Sequence, residues 1–190
     1  MSLTTEQQQR LLTYGRLLLD WGARINLTGA KTLGDLIDDH FPDAFAVASR
    51  IGAAISVADV GSGGGLPALP LAILSPRISL VMIEPIHKKV AFLRTAVREV
   101  GLGGRVSALS QRYEGARPVG HEAGFDLAIS RATFSPSEWV GRSRPLLKPG
   151  GRVLALSASE EVVTPEGLRL EESKSYGDGR RWLVSFVGST

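Results

Sequence analysis

A glycine-rich segment in the first half of the chain has the residue types that bind a ligand. It reads Asp59-Val60-Gly61-Ser62-Gly63-Gly64-Gly65-Leu66, after a short run rich in β-branched residues and before a segment with helical spacing. Glycine lets the backbone turn sharply, and it lets a ligand approach closely because there is no Cβ in the way. Open α/β sheets bind ligands at the carboxyl ends of their strands. The segment therefore predicts a cofactor-binding loop, with an ordinary tight turn as the alternative.

Two acidic residues indicate which cofactor the loop would bind. Asp59 stands two residues before a G-x-G-x-G run, where a carboxylate suits the cationic amino group of S-adenosylmethionine and would repel a pyrophosphate. Glu84 ends the next predicted strand, where a carboxylate accepts hydrogen bonds from a ribose diol. Residues 63–68 also fit the G-x-G-x-x-A template of NAD proteins. The acidic pair favours S-adenosylmethionine over NAD, and a solvated strand-end charge is the alternative for Glu84.

The elements around this loop alternate between strand and helix. Predicted strands cover 55–60, 78–84, 106–110, 125–130 and 152–157, and predicted helices cover about 67–75, 86–100 and 136–147. Continuous apolar strands separated by helices are typical of a parallel sheet covered on both faces. Residues 168–176 and 182–187 flank Gly177-Asp178-Gly179 and predict a hairpin. The predicted fold is α/β and Rossmann-like, of the S-adenosylmethionine-dependent methyltransferase type. Its seven-stranded, mostly parallel sheet would end in a C-terminal antiparallel hairpin.

The first 50 residues have a helical pattern instead. Residues 4–22 predict one helix, with Thr5 and Gln8 at the spacing of a capping box. A second helix is predicted from Thr32 to about Ile51. We therefore expect an N-terminal helical appendage at 1–52 and a cofactor-binding methyltransferase domain at 53–190.

Composition excludes several classes of site. The chain has 190 residues and no cysteine, which excludes disulfides, thiolate zinc sites and cysteine nucleophiles. No apolar run approaches the roughly 18 residues of a membrane span, and the N-terminus is polar. We expect a cytoplasmic monomer that has neither a membrane nor a metal as partner. The net charge of +3 permits a nucleic-acid partner without requiring one.

With these residues in hand, the chain resembles the RsmG (GidB) family, which methylates N7 of a guanine in 16S ribosomal RNA of the small subunit. The resemblance extends from about Trp21 to Val187, and its motifs are specific together rather than singly. They are Trp21…Asn26-Leu27-Thr28, His40…Asp43, the loop from Asp59 to Pro67, Leu69-Pro70-Leu71-Ala72, Glu84…Lys88-Lys89…Phe92-Leu93, and Phe125-Asp126…Ser130-Arg131-Ala132.

The resemblance implies roles for residues that the pattern alone does not single out. Cofactor contacts are implied at Gly61, Leu66, Tyr113-Glu114 and Arg131. Glu114 would lie near the adenine, and Arg131 near the methyl-transfer site as the catalytic residue. Substrate RNA is expected at Asn26, Lys88, Lys89, Arg180 and Arg181.

Each of these residues also has a structural interpretation. Tyr113 would pack on the sheet edge, and Arg131 would form a surface ion pair. Lys88 and Lys89 would lie on a solvated helix face. For His40, capping or packing within the helical appendage is favoured over a chemical role.

The chemistry of the acceptor is compatible with the resemblance. Guanine N7 has a lone pair and no proton, so methyl transfer to it needs positioning but no general base. The chain lacks the cysteine of the covalent C5-pyrimidine route and the Asn/Asp-Pro-Pro-Tyr motif used on exocyclic amines.

The chain also departs from the family. Ser157 stands where the family commonly has a lysine after the fifth strand, and Pro85 follows the second-strand acid where the family often has serine. The alternatives are therefore a methyltransferase acting on a small molecule or another RNA, and a non-catalytic RNA-binding relative.

Overall fold

A single mixed sheet organises the protein. In the computed structural model, which describes residues 2–52 and 56–188, seven strands lie in the order β3-β2-β1-β4-β5-β7-β6. The strands are β1 Ser56–Val60, β2 Ser79–Glu84, β3 Val106–Ser110, β4 Phe125–Ser130, β5 Leu147–Ser157, β6 Leu168–Tyr176 and β7 Arg181–Gly188. The first five pair in parallel, and β7 runs antiparallel to both β5 and β6. The predicted Rossmann-like sheet with its C-terminal hairpin is confirmed.

Helices cover both faces of the sheet. They are α1 Thr5–Gly22, α2 Leu33–Asp35, a π turn at Leu36–His40, α3 Phe41–Ala48, α4 Ala68–Leu74, α5 His87–Glu99, α6 Pro136–Ser143 and a 3-10 turn at Arg144–Leu146. The core on one face combines side chains of α1, α3, α4 and α5 with β1 and β2. The opposite face packs on Trp139 and Val140 of α6. Among the described residues, none of these helices combines the length and the apolar character needed to cross a membrane.

The predicted strand boundaries hold closely except in two places. The predicted strand 152–157 begins earlier, at Leu147, because α6 stops at Ser143 and a 3-10 turn delivers the chain into β5. Pro145 in that turn has no N–H with which to continue a helix. Ile55, the first residue of the first predicted strand, lies outside the described residues.

The predicted capping box at Thr5 and Gln8 is wrong by one residue. Thr4 is the N-cap: its side chain accepts from Gln7 N, and the Gln7 side chain accepts from Thr4 N. The Gln7 amide also donates to the carbonyl oxygen of Leu74 at 3.2 Å. This bond links the start of α1 to the end of α4.

The second predicted helix exists, but it is interrupted and ends at Ala48 instead of Ile51. Thr32 caps the start of the short helix α2, which continues into the π turn and then into α3. Pro42 explains the interruption, because it has no N–H to donate to the carbonyl oxygen of Asp38. The boundary predicted between 52 and 53 stays a prediction, although α1 and α3 share one core cluster with the sheet.

The first helix is fastened directly to the glycine loop. Tyr14 is fully buried in α1, and its hydroxyl donates to the carbonyl oxygen of Gly64 at 2.7 Å. A Cβ on Gly64 would lie 2.8 Å from the carbonyl oxygen of Leu27, so the segment after α1 also packs against the loop. The N-terminal helices therefore hold the loop from one side.

We expect Tyr14→Phe to lower the free energy of unfolding by about 1–3 kcal/mol, because it leaves a buried carbonyl without its donor. Urea unfolding followed by circular dichroism measures the change. Thr13→Ser, on the exposed face of the same helix, serves as the control and should change stability little. Equal stability of Tyr14→Phe and the wild type would contradict the role given to this bond.

Candidate functional site

The glycine loop leaves β1 and turns into α4 in a conformation that only glycine tolerates well. Gly61 has φ +74° and Gly65 has φ +82°. A Cβ on Gly61 would lie 1.9 Å from Thr133 Oγ1, and one on Gly65 would lie 2.7 Å from Leu69 Cδ1. The loop is closed by Gly61 N–H donating to Ile83 O at 2.8 Å and Gly65 N–H donating to Ser62 O at 2.6 Å. The backbone thus passes between the ends of β2 and β4 with no room for side chains at these positions.

Two adjoining clefts open beside this loop. The loop cleft, of about 330 Å³, is lined by residues that include Gly63, Leu66, Glu84, Lys89 and Arg131. The strand-end cleft, of about 500 Å³, is lined by residues that include Tyr113, Glu114, Arg112, Phe134 and Arg142. Gly61, Pro85 and Thr133 belong to both, so the two clefts meet at the loop. Each volume lies in the range of small-ligand and cofactor sites.

Glu84 joins the end of β2 to the loop. It is buried, and its two carboxylate oxygens accept from Gly63 N at 2.9 Å and Ile86 N at 3.0 Å. These backbone bonds fix the carboxylate at the edge of the loop cleft. A carboxylate oxygen has more than one lone pair, so each can accept a further bond. Glu84 can therefore still receive the hydroxyls of a ribose, as the sequence predicts.

Asp59 is a buried acid beneath the loop. It is 1% exposed, and its Oδ2 has no hydrogen-bond partner among the described residues. Burial raises the pKa of Asp59 to about 7, and the nearby Glu84 charge adds to this, while the Ser62 hydroxyl and the Arg131 charge oppose it. An orphan carboxylate oxygen suits a cationic ligand group. Because Asp59 does not line either cleft, it would act on the cofactor's amino group through its charge or a bridging water.

Arg131 follows β4 and lines the loop cleft. Its Nη1 donates to Asp43 Oδ2 at 3.0 Å and lies 3.0 Å from His40 Nδ1. Arg131 therefore forms an ion pair, but with a buried carboxylate instead of at the surface as the alternative had it, and the same side chain lines the loop cleft. Next to it, Ala132 has φ +59°, a left-handed conformation that is uncommon for a residue other than glycine.

Burial and the Arg131 charge lower the pKa of His40. A neutral imidazole can accept the Arg131 hydrogen bond at Nδ1, while its Nε2 lies 3.5 Å from Thr28 Oγ1. His40 thus contacts the helical segment, as expected, and also reaches the candidate site.

Tyr113 and Glu114 lie together in the wall of the strand-end cleft. Tyr113 is buried, its hydroxyl donates to Arg142 O at 2.6 Å, and burial raises its pKa to about 12. Glu114 is exposed. The packing role and the cofactor role proposed for Tyr113 are compatible, because its ring packs in the core while part of it lines the cleft.

The residues expected to contact RNA fall into two groups. Lys89 lines the loop cleft, Lys88 is exposed beside it on α5, and Asn26 is exposed next to Leu27, another lining residue. Arg180 is exposed in the hairpin turn and pairs with Asp178 at 2.6 Å. Arg181 is bound to the α3 region through Asp39 O at 2.6 Å and Asp43 Oδ1 at 3.4 Å.

Three residues of the site were missed by the sequence reasoning as functional candidates. They are Tyr14 and Thr133, which contact the loop, and Asp43, which holds Arg131. Thr133 directly follows Ser130-Arg131-Ala132, so its place in that motif was a usable signal. Tyr14 carried none, because its spacing in α1 is that of a core residue.

The sequence matches a known family over most of its length. The model of the family described as GidB, rRNA small subunit methyltransferase G, matches residues 7–174. The ribosomal RNA small subunit methyltransferase G of Aromatoleum aromaticum is 36% identical over 180 residues, covering 90% of this chain and 83% of the relative. The protein of that name from Azoarcus sp. is 38% identical over 171 residues, covering 88% and 79%.

Solved structures resemble the fold. A SAM-dependent methyltransferase from Aquifex aeolicus matches with a TM-score of 0.61 at 16% identity, covering 83% of this chain and 94% of its own. The S-adenosylmethionine-dependent methyltransferase SibL in its apo form matches with a TM-score of 0.62 at 15% identity, covering 96% and 70%. At these identities the likeness establishes the fold alone.

We expect Gly61→Ala to reduce stability by at least about 2 kcal/mol, because the left-handed backbone disfavours a Cβ and the methyl group would overlap Thr133. It should also remove the rise in melting temperature that S-adenosylhomocysteine produces. Gly29→Ala is the control, since a Cβ there meets nothing within 4 Å. Wild-type stability and ligand response in Gly61→Ala would contradict the close packing described.

Asp59→Asn should stabilise the free protein while weakening cofactor binding. Because the folded-state pKa of Asp59 is raised to about 7, the free energy of unfolding of the wild type falls as pH rises from about 4 through 7. The Asp59→Asn variant does not titrate at this position, so its stability does not fall in this way. The gain should be about 1–2 kcal/mol at pH 5 and about 4 kcal/mol at pH 8. Urea unfolding at both pH values measures it, and calorimetry measures S-adenosylhomocysteine affinity. Asp20→Asn, on an exposed position of α1, should show neither effect, and a pH-independent gain would refute the assignment.

Proposed function

Because the chain belongs to the rRNA small subunit methyltransferase G (GidB) family, we propose that it methylates N7 of a guanine in 16S ribosomal RNA. The chain is an S-adenosylmethionine-dependent methyltransferase, and the acceptor is the proposed part. The observation that carries the proposal is the loop cleft, in which the glycine loop, Glu84 and Arg131 face one space. Asp59 lies buried next to this loop, and a cationic ligand group would favour its ionised form.

The residues present fit S-adenosylmethionine at this site. Asp59 would attract its amino group, Glu84 would accept from its ribose hydroxyls, and Tyr113 with Glu114 would flank its base in the strand-end cleft. The hydrogen bonds of Arg131 to the described residues all come from Nη1, so Nε and Nη2 can donate to a ligand. A carboxylate is the acceptor that matches an arginine fork best. When bound, the cofactor supplies an electrophilic methyl group.

The acidic groups of the site suit an acceptor that loses no proton. Methylation of guanine N7 forms a nitrogen–carbon bond from the lone pair as the sulfur–carbon bond breaks, and no proton is transferred. Glu84 is assigned to the ribose and Glu114 to the base, and Asp59 lines neither cleft, so in this assignment none of them removes a proton from a substrate. Catalysis by positioning is sufficient for this reaction.

Basic side chains near the two clefts suit an RNA substrate. Lys88 and Lys89 lie at the start of α5 beside the loop cleft, and exposed Arg112 lines the strand-end cleft. We assign phosphate contacts to these cations and to Asn26 and Arg180. Such contacts make binding weaken steeply as salt rises.

The test is methyl transfer from labelled S-adenosylmethionine to small subunits isolated from cells that lack the modification. We expect label at N7 of one guanine of 16S RNA, a subunit affinity that falls steeply with salt, and background label with Asp59→Asn. Lys89→Gln should raise KM for the subunit more than it lowers kcat. Cofactor binding without any label in RNA would refute the proposed acceptor. Salt-independent transfer to a small molecule would instead support the alternative enzyme.

A further inference from the structure

Asp43 lies at a junction of three segments that are far apart in sequence. It is only 5% exposed, on α3, and both carboxylate oxygens accept hydrogen bonds. Oδ2 accepts from Arg131, which follows β4. Oδ1 accepts from the Tyr176 hydroxyl at 2.8 Å and from Arg181 Nη1 at 3.4 Å, which belong to the two strands of the C-terminal hairpin. One buried carboxylate therefore joins the hairpin to the arginine of the candidate site.

The helix break beside Asp43 explains how the hairpin docks. Pro42 has no N–H to offer the carbonyl oxygen of Asp38, and the preceding turn is of the π type. Arg181 donates to Asp39 O at 2.6 Å and to Asp38 O at 3.4 Å. The arginine thus supplies hydrogen bonds to carbonyls at the interrupted turn. The hairpin is fixed to α3 at the same place where Asp43 emerges.

The same π turn brings His40 and Asp43 to one side of the helix. Both contact Nη1 of Arg131, at 3.0 Å each. Burial and the Asp43 charge raise the pKa of Tyr176, so its hydroxyl stays protonated and donates to the carboxylate. The Arg131 guanidinium is thereby held at Nη1. This attachment sets the direction in which its Nε and Nη2 point.

We propose that Asp43 is a positioning residue that sets the direction of the Arg131 guanidinium in the loop cleft and makes it depend on the docking of the C-terminal hairpin. The proposal rests on the proposed function in one respect, namely that Arg131 acts near the methyl-transfer site. Asp43 itself touches neither cleft, so it acts only through Arg131. In this arrangement Arg181 is bound to α3, so of the two hairpin arginines expected to contact RNA only Arg180 keeps that assignment.

A double-mutant cycle tests the proposal with Asp43→Asn, Arg131→Ala and the double variant, in methyl transfer to small subunits. We expect Asp43→Asn to lower kcat by about 10- to 100-fold, as expected for a misplaced group, and to change KM for the subunit less than about threefold. In the Arg131→Ala background, the same substitution should lower kcat by less than about twofold, because coupled residues are not additive. Equal factors in both backgrounds, or full activity of Asp43→Asn, would overturn the proposal.

Asp126→Asn is the matched control, because it also removes a partly buried acid from an ion pair, with Lys148 at 2.9 Å, at the other end of β4. It should leave kcat unchanged. Tyr176→Phe keeps the ion pair of Asp43 with Arg131 and removes only the hairpin's hydroxyl, so it covers the case in which Asp43→Asn does not fold. It should lower kcat by about two- to fivefold, and an unchanged kcat would overturn the dependence on the hairpin.

Failure of the proposed acceptor can be separated from failure of this inference. If the wild type binds S-adenosylhomocysteine but labels no RNA, the proposed acceptor is wrong. The double-mutant cycle is then carried out on the affinity for S-adenosylhomocysteine, measured by calorimetry. Asp43→Asn should then weaken that affinity by about three- to tenfold in the wild-type background and little in Arg131→Ala. Equal weakening in both backgrounds would overturn the role of Asp43.

Discussion

The close packing of the glycine loop is the constraint on which the rest of the site depends. At three of its positions the backbone meets a different neighbour at a distance that excludes a Cβ: Thr133 at Gly61, Leu27 at Gly64, and Leu69 at Gly65. The loop therefore sets the distances between the end of β4, the segment after α1 and the helix α4. The two clefts meet at this loop, since Gly61 and Thr133 line both.

Charge is arranged around this loop at a cost to stability. Asp59 is buried with an oxygen that has no partner in the part of the chain that the structure describes, and its raised pKa expresses the penalty of ionising it there. Arg131 partly offsets this penalty by its charge, and the opposite attraction helps to keep Arg131 near the loop.

The sheet could be predicted from the sequence, while many of the side-chain contacts that build the site could not. Strands such as β3 and β4 are short apolar runs bounded by helical or polar segments, so local pattern suffices to place them. The cap at Thr4 could not be separated from one at Thr5, because Thr4 with Gln7 and Thr5 with Gln8 have the same residue types at the same spacing. Glu84 and the glycine loop could be identified because their chemistry is visible in their own segments. The partners of Arg131 could not, since Asp43 is 88 residues away in the chain.

The N-terminal helices contribute more to the site than the term appendage suggests. Tyr14 holds the loop, His40 and Asp43 hold Arg131, and Arg152 of β5 donates to Arg50 O and Ile51 O at the end of this region. Leu27, in the segment after α1, lines the loop cleft. The interrupted turn before α3 supplies the carbonyl oxygens that accept from Arg181, and Asp43 supplies the carboxylate that binds both the hairpin and Arg131. The loop cleft and the C-terminal hairpin are thereby connected through a carboxylate that lines neither cleft.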